Sequence, residues 1–508
     1  MHKKLSKRLN IVTVTALFLL ISITVNAYTL DLKIIDTAGC NLAIVDETAQ
    51  NVFSLKSTSG AHNWFAGVFN GLDTSNLTIF TLDMNDTGTL ESPGDVSKWD
   101  GLWPVYTYGK YWDYNTYIYY TKNYDGYWVS SDIFAKDKLA GNGKTPIQNV
   151  ISAEFAEEFL SEDKKYWSVW QDIQDTKINA GSNIFYITNQ FNSPNASIAM
   201  RVPYTYDYEH EYMKKLKQAN VSGITVHEIG KSIRNHNLYV VEVSDPKATV
   251  EELKERRVVL MYADEDGDEP DGCWVVNGAM NYLIQGLKNS DKEVNKILSE
   301  VTFLFIPLLD PVGWSNSTYG EMTSEFSTYY ISEEREPRLE VICYASFIAS
   351  WCGDYFRRLD IIVNMHNIEC NEGPNIFSPV QNINRYEESN NLNKFILSRI
   401  SNVNVGMDYF TQGYNEYRYS GWCCRLWGCV PVAYEINSRY PNNRLEPYDL
   451  DNLGESLVML FFKYFNSDEY EKALPTIEKA YMEQTLRRNS FLKNINIKNN
   501  YYTIGEGF

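Results

Sequence analysis

Apolar strands that alternate with helices, and that end in polar residues, constrain this chain more than any other feature. Three such strands are Arg257–Tyr262, Asp360–His366 and Val430–Glu435. After the first of them lies 275–287, whose apolar side chains recur at helical spacing. Strands and helices that alternate in this way predict an α/β sandwich.

Four polar side chains stand at the ends of these strands. Asp266 and Glu269 lie in the acidic turn 264–270 after the first strand, and His366 and Glu435 end the other two. The carboxyl ends of strands in an α/β sheet meet at one edge, where such folds place their active sites. Three oxygen or nitrogen ligands with one further carboxylate are typical of a metal-assisted hydrolase. The pattern therefore predicts a metal on the first three residues and a general base in Glu435.

Each of these residues also has a purely structural interpretation. A histidine at the end of an apolar strand, such as His366, is often a core residue with satisfied hydrogen bonds. An acidic turn is often a solvated surface, and Glu435 could be an exposed loop glutamate. The turn lacks the residue order of an EF-hand, so a calcium loop of that kind is not expected.

The eight cysteines permit disulfides in an exported chain, although their pairing cannot be read from the sequence. Cys423, Cys424 and Cys429 lie close together, but no second matched pair accompanies them as in a zinc cluster. We expect structural thiols or a disulfide at these positions.

The N-terminus has the pattern of a secretory signal peptide over residues 1–27. A basic region precedes the apolar run 11–24, and Val25-Asn26-Ala27 is typical of a cleavage site. We expect the mature chain to begin at Tyr28, and the protein to be secreted, periplasmic or extracellular. No later segment is long and apolar enough for an integral membrane span. The net charge of −19 makes a nucleic-acid partner unlikely on electrostatic grounds.

Changes in pattern divide the chain into four parts. Residues 1–27 are the expected signal peptide, and 28–199 have the short alternating runs of a β-rich sandwich domain. Residues 200–466 form the α/β domain, and 467–508 are a polar C-terminal extension. The stretch 99–128 is unusually aromatic, which is compatible with a sugar-stacking surface or with cross-strand pairing. We favour cross-strand pairing, because no sugar-specific motif accompanies the aromatic residues.

From Arg201 onward the chain resembles the zinc metallocarboxypeptidase family of the carboxypeptidase A type. The similarity is greatest to the cytosolic-carboxypeptidase-like branch, in which a β-sandwich domain precedes the catalytic domain. Several segments carry the resemblance in order along the chain: Arg201–Tyr206, Ile229–Ser232, Gly267–Glu269, Trp274–Gly278, Pro307–Gly313, Asn364–His366 and Tyr434-Glu435. The resemblance implies a mixed-sheet α/β/α domain, one zinc ion per chain and a peptide or protein substrate.

The chain departs from the family pattern at several site positions. Asp266 stands where the family has its first histidine ligand, and Asn364 replaces the aspartate that precedes the second histidine. Asp310 and Val312 replace the asparagine and aspartate of the family's N-P-D-G motif. The arginines with which the family grips a C-terminal carboxylate have no clear counterparts, and only Arg335 and Arg338 lie nearby in the sequence.

These departures change what the resemblance implies for the metal and the substrate. A carboxylate in place of the first histidine lowers the net charge of the centre and favours harder ions, so Mn²⁺ or another divalent ion is an alternative to Zn²⁺. The family caps its substrate with a loop tyrosine. The candidates are Tyr414, Tyr417 and Tyr419, each of which is equally compatible with a structural role.

Three functions are compatible with this pattern. The first is an exported metallopeptidase of carboxypeptidase type. The second is a catalytically degenerate relative that binds peptides or glycans. The third is an amidase or deacylase of the same fold, which would not need to recognise a free C-terminal carboxylate. The ordered metal-side elements and Glu435 favour the metallopeptidase.

Overall fold

The structure of the protein is a computed structural model. It describes residues 32–35, 40–58, 64–84, 96–107, 171–316, 338–354, 358–368, 373, 375–380, 385–401, 405–406, 419–441 and 444–483. The expected signal peptide, most of the aromatic stretch and the end of the C-terminal extension lie outside these residues.

Two five-stranded sheets form the N-terminal part. Their strands, in chain order, are β1 (Lys33–Ile35), β2 (Leu42–Ala49), β3 (Val52–Ser57), β4 (Ala66–Asn70), β5 (Thr78–Asp83), β6 (Val105–Thr107), β7 (Gln171–Asp172), β8 (Asp175–Asn179), β9 (Ile184–Asn189) and β10 (Asn195–Ala199). One sheet has the order β1-β4-β10-β6-β7, and the other has the order β2-β3-β5-β9-β8. Buried and half-buried residues alternate along β3 and β5, as expected when one face of a strand packs inward.

Aromatic side chains fill the core between these two sheets. Phe80 packs on Phe69 with ring centroids 4.6 Å apart, and Trp99 packs edge-on against Phe185 at 5.5 Å. Trp99 belongs to the aromatic stretch and is buried here. At this position the stretch therefore contributes to packing, which agrees with the structural interpretation of the sequence.

An eight-stranded mixed sheet forms the centre of the second domain. Its strands are β11 (Ile224–Lys231), β12 (Asn237–Val243), β13 (Arg257–Ala263), β14 (Val301–Ile306), β15 (Ile361–Asn367), β16 (Asn375–Pro379), β17 (Val405–Gly406) and β18 (Val430–Ile436), in the order β11-β12-β14-β13-β15-β18-β16-β17. The four central strands run parallel to one another, whereas β12 and β16 are antiparallel to their neighbours in this group. The expected mixed-sheet α/β architecture is confirmed.

Helices cover both faces of this sheet. In chain order they are α1 (Tyr206–Ala219), α2 (Val250–Glu255), α3 (Pro270–Lys288), α4 (Lys292–Leu298), α5 (Pro311–Asn316), α6 (Leu339–Asp354), α7 (Tyr386–Leu397), α8 (Tyr419–Trp427), α9 (Pro447–Phe465) and α10 (Asp468–Glu483). Side chains of α3 and α9 join the core on one face, and those of α6 and α8 join the core on the other. Because both faces are covered, the central strands are apolar along their whole length.

The two domains share a continuous contact. Trp64, Ala66 and Val105 of the sandwich belong to the same apolar core as α3 and α9. Arg439, which is fully buried, donates to Asp172 of β7 at 2.9 Å. The sandwich is therefore bound to the α/β domain by both apolar packing and a buried ion pair.

The beginning of the C-terminal extension is ordered against the α/β domain. Helix α10 buries Tyr470, Ala473 and Ile477, and the ring of Tyr470 lies edge-on to Phe465 at 5.0 Å. Among the described residues, no helix is long and apolar enough to cross a membrane. The structure places no disulfide among the seven cysteines that it describes, and Cys370 lies outside the described residues.

Helices α3 and α9 approach each other more closely than any side chain at the contact would permit. A Cβ at Gly278 would lie 2.2 Å from the Cα of Asp451, and one at Gly454 would lie 2.1 Å from the carbonyl oxygen of Val275. Backbone atoms cannot move aside as flexible side chains do, so glycine is required at both positions.

We predict that Gly278→Ala lowers the free energy of unfolding by about 2–3 kcal/mol, because the added methyl group forces two packed helices apart. Thermal and denaturant unfolding of the purified chain measure the effect. The matched control is Gly353→Ala in α6, where an added Cβ meets nothing within 4 Å. The control should change stability by no more than about 1 kcal/mol, in the stabilising direction. Equal midpoints for the two variants would contradict the close contact.

Candidate metal centre

The acidic turn after β13 is buried. Six carboxylates lie between residues 264 and 271, and each is at most 3% exposed; they are Asp264, Glu265, Asp266, Asp268, Glu269 and Asp271. The solvated-surface interpretation of this turn is therefore wrong. A buried carboxylate is costly unless a cation, a hydrogen-bond donor or a proton compensates it.

The turn is shaped by one left-handed residue and one neighbouring loop. Asp264 has a φ of 64°, a conformation that aspartate tolerates better than most residues. Its carbonyl oxygen accepts a hydrogen bond of 3.1 Å from the backbone N–H of Asp310. Strand β13 therefore ends sharply, and the following residues fold back over the edge of the sheet.

Glu269 is held at the N-terminus of helix α3. It directly precedes Pro270, whose fixed φ suits the first helical position. The N-terminal end of a helix favours negative charge. A Cβ on Gly272 would lie 2.8 Å from the Cβ of Met365, so glycine allows the first turn of α3 to approach β15 closely. This approach brings Glu269 next to His366.

His366 and Glu435 lie side by side on adjacent parallel strands. They are direct partners in the register between β15 and β18, so their side chains share one face of the sheet. Glu435 is 9% exposed, the most accessible of the four predicted site residues. The carboxylate of Glu435 contributes to raising the pKa of Glu269, which places the two groups within electrostatic reach.

Three of the predicted site residues converge on one point. The Nδ1 atom of His366 lies 2.7 Å from a carboxylate oxygen of Glu269 and 3.4 Å from one of Asp266. The ligand atoms of all three side chains lie within 4.8 Å of one another. One nitrogen and two carboxylate oxygens at this spacing fit the ligand set of a divalent metal ion.

The charge around this point also fits a bound cation. Burial raises the pKa of Glu269 well above its ordinary value; the neighbouring His366 lowers it, and the carboxylate of Asp266 raises it further. Burial likewise raises the pKa of Asp264, with Asp310 as the strongest of the carboxylates that add to the effect. A bound cation would neutralise this excess of buried negative charge.

Two arginines neutralise carboxylates at the border of the cluster; Arg201 is fully buried and Arg338 is partly buried. Arg201 pairs with Asp271, which also accepts hydrogen bonds from the backbone N–H and the hydroxyl of Ser438. Arg338 binds both carboxylate oxygens of Asp310, at 3.2 and 3.0 Å. The carboxylates that face His366 have no comparable arginine among the ion pairs of the described residues.

Comparison with known proteins finds similarity over part of the α/β domain. Residues 209–328 match the family described as zinc carboxypeptidase. Cytosolic carboxypeptidase 2 of Danio rerio is 26% identical over 115 residues, which are 22% of this chain and 15% of the relative. The match thus spans a small part of that protein's length.

Over residues 209–328, which include the acidic turn after β13, this chain is similar to the zinc carboxypeptidase family.

Solved metallocarboxypeptidases have the same fold. The enzyme from Burkholderia cenocepacia aligns with a TM-score of 0.61 at 12% identity, over 86% of this chain and 99% of the other. A metallo-carboxypeptidase from Pseudomonas aeruginosa, in complex with (2-guanidinoethylmercapto)succinic acid, aligns with a TM-score of 0.58 at 13% identity, over 86% and 99%. Coverage this high takes in the sandwich as well as the α/β domain. At these identities the alignments establish the fold alone.

The remaining site candidates of the chain take structural positions or lie outside the described residues. Arg338 is held by Asp310 and Glu340 and is not free to anchor a substrate; Arg335 lies outside the described residues. Tyr419 is fully buried, and its ring packs on Tyr262 at 5.1 Å, so it takes the structural role that the sequence left open. Tyr414 and Tyr417 lie outside the described residues.

Sequence reasoning missed Glu265, which forms a buried pair with Asn364 beside His366. The Asn364 side-chain amide donates to Glu265 at 2.7 Å, although the two residues are 99 positions apart. One indication of this pair was visible in the sequence. Asn364 replaces an aspartate of the family pattern, and Glu265 is an additional acid in the turn 264–270.

We predict that Asp266→Asn has opposite effects on the metal-free and the metal-loaded chain. Without metal, the neutral amide relieves repulsion with Glu269 and raises the free energy of unfolding by about 1 kcal/mol. With zinc in excess, the wild-type chain gains binding free energy that the variant lacks, so wild type becomes the more stable of the two. Thermal unfolding near neutral pH, with chelator and then with zinc, measures both effects.

The matched control for this crossover is Asp175→Asn, which removes the same charge from an exposed position on β8. It should leave the free energy of unfolding within about 0.5 kcal/mol of wild type, both with chelator and with zinc. A variant at Asp266 that is less stable than wild type in both conditions would show that Asp266 has a purely structural role.

Proposed function

We propose that the protein is an exported, metal-dependent peptidase of carboxypeptidase type, with zinc as the expected ion. The observation that carries this proposal is the convergence of Asp266, Glu269 and His366 at one buried point of a zinc carboxypeptidase domain. Export rests on the signal-peptide pattern of residues 1–27. It would be refuted if the protein stayed inside the cell with residues 1–27 still attached.

Three side chains of this chain would hold the ion. They are Asp266, Glu269 and His366, with Asp266 in the position where the family has a histidine. A bound divalent ion supplies Lewis-acid polarisation of the scissile carbonyl and acidifies water. With two carboxylates the centre carries less positive charge than one with two histidines, which favours Mn²⁺ as an alternative to Zn²⁺.

Glu435 is the proposed general base. It lies next to His366 on the neighbouring strand and is more exposed than the three ligand residues. Its carboxylate would take a proton from the attacking water and transfer that proton to the nitrogen of the leaving amine.

Substrate recognition differs from that of a typical carboxypeptidase in our proposal. Arg338 is bound to Asp310 on both carboxylate oxygens, so it does not serve as the anchor for a C-terminal carboxylate. This contact favours, as a second candidate, an amidase or deacylase of the same fold that cleaves substrates without a free α-carboxylate. A degenerate peptide-binding relative remains the alternative in which no bond is cleaved.

Metal stoichiometry of the purified chain tests the centre. After dialysis against zinc or manganese, wild type should retain about one ion per chain, and His366→Ala should retain none. His227→Ala is the matched control. His227 lies on the edge strand β11, at the far side of the sheet from β15, and pairs with Glu242 of the neighbouring strand β12. The variant should therefore bind metal like wild type. A wild-type chain that binds neither metal would eliminate both hydrolase proposals and leave the binding relative.

Glu435→Gln separates hydrolysis from binding. We expect this variant to retain its metal and to lose hydrolysis by a factor of about 10² or more, since the neutral amide cannot take up a proton. Peptides with free C-termini are compared with the same peptides carrying C-terminal amides and with acylated amines. Cleavage restricted to free C-termini supports the peptidase, whereas equal or better cleavage of the blocked substrates supports the amidase. Turnover that survives in Glu435→Gln would exclude Glu435 as the base.

A further inference from the structure

We propose that Glu265 is a positioning residue for His366: its carboxylate keeps the far ring nitrogen, Nε2, protonated, and so leaves Nδ1 as the atom that binds the metal. The inference rests on the proposed function, because it concerns the same centre. It adds a residue that neither the sequence pattern nor the family resemblance assigned to the site.

The carboxylate of Glu265 is fixed from three directions. Its Oε2 atom accepts from the side-chain amide of Asn364 at 2.7 Å and from the hydroxyl of Tyr262 at 3.3 Å. Its Oε1 atom accepts from the backbone N–H of Tyr419 at 3.1 Å. The residue is fully buried, and these donors belong to or border three different elements. A buried carboxylate held by three donors has one orientation, and here its Oε2 atom is directed towards the ring of His366.

His366 lies between two sets of carboxylates. Its Nδ1 atom faces Glu269 at 2.7 Å and Asp266 at 3.4 Å, and its Nε2 atom faces Glu265 at 3.6 Å. A neutral imidazole carries one N–H, and a metal binds the nitrogen that lacks it. If Nδ1 is the ligand atom, the N–H must sit on Nε2, where the negative charge of Glu265 stabilises its partial positive charge.

The distance of 3.6 Å is beyond an ordinary hydrogen bond, so in this geometry the effect of Glu265 is electrostatic. Such an effect is considerable in a buried site, where the effective dielectric constant is far below that of water. It depends on the charge of the carboxylate more than on its shape. This distinction makes the proposal testable with an isosteric variant.

The contacts of Asn364 explain why residue 265 is the carboxylate of this pair and residue 364 is the amide. Its Oδ1 atom is buried and accepts no hydrogen bond from the described residues, while its Nδ2 atom donates to Glu265. An aspartate at 364 would put two carboxylates 2.7 Å apart and leave one without a donor. The carboxylate beside His366 therefore comes from the acidic turn, and the amide on β15 holds it in place.

The test measures metal affinity and stability separately for Glu265→Gln. Glutamine has nearly the same shape, and its oxygen can still accept from Asn364 and Tyr262, but its NH2 group cannot accept from the backbone N–H of Tyr419. We therefore expect the metal-free variant to fold and to be somewhat less stable than wild type. Zinc affinity, measured by competition with a chelator, should fall by about 10- to 100-fold. In the zinc-loaded chain labelled with ¹⁵N-histidine, the Nε2–H proton of His366 should resonate upfield of its wild-type position.

Glu209→Gln is the matched control, since Glu209 is another buried carboxylate, on helix α1, and has no recorded contact with His366. It should bind zinc with wild-type affinity. If Glu265→Gln does not fold, the double variant Glu265→Gln with Asn364→Asp is measured in its place. This variant exchanges the amide and the carboxylate, and it should likewise bind zinc more weakly than wild type. Wild-type zinc affinity in the folded variant overturns the inference. Failure of the wild-type chain to bind any metal refutes the proposed function instead, so the two failures are distinguishable.

Discussion

Buried negative charge is the constraint on which the site depends. Between the end of β13 and the first turn of α3 the chain buries six carboxylates away from water. Arg201 compensates Asp271, and Arg338 compensates the neighbouring Asp310. Among the described contacts, Glu269, Asp266 and Glu265 face the imidazole of His366, and Glu265 also accepts hydrogen bonds from neutral donors. A divalent cation at this point would complete the compensation, so the same charges that destabilise the metal-free chain would provide affinity for the ion.

Packing supplies the precision that these charges require. Gly272 lets the first turn of α3 approach β15, and Gly278 and Gly454 let α3 and α9 lie in backbone contact behind it. The parallel register between β15 and β18 sets His366 beside Glu435. Each of these contacts is made by regular elements of a covered sheet. The site is therefore built on rigid parts of the fold, as sites that need fixed ligand geometry generally are.

Much of the architecture followed from local pattern, whereas part of the site did not. The apolar strands ending near Asp266, His366 and Glu435 could be predicted because strand period and the carboxyl-edge rule depend on short segments. The acidic turn was open to a surface interpretation, and its burial depends on the sandwich, α3 and the 309–310 loop together. Arg338 could not be placed, because nothing local to it indicates Asp310 as its partner.

The sequence by itself determined which chemical groups are available: a histidine, several acids and a glutamate at the ends of adjacent strands, in an order that resembles a known family. Only the tertiary structure decided which of them meet, which are neutralised and which remain charged. Glu265 is bound by Asn364 from 99 residues away, and Tyr419 is part of the core. The physical reason is that secondary structure reflects side-chain period over a few residues. Burial and charge compensation depend instead on contacts that close only when distant segments pack together.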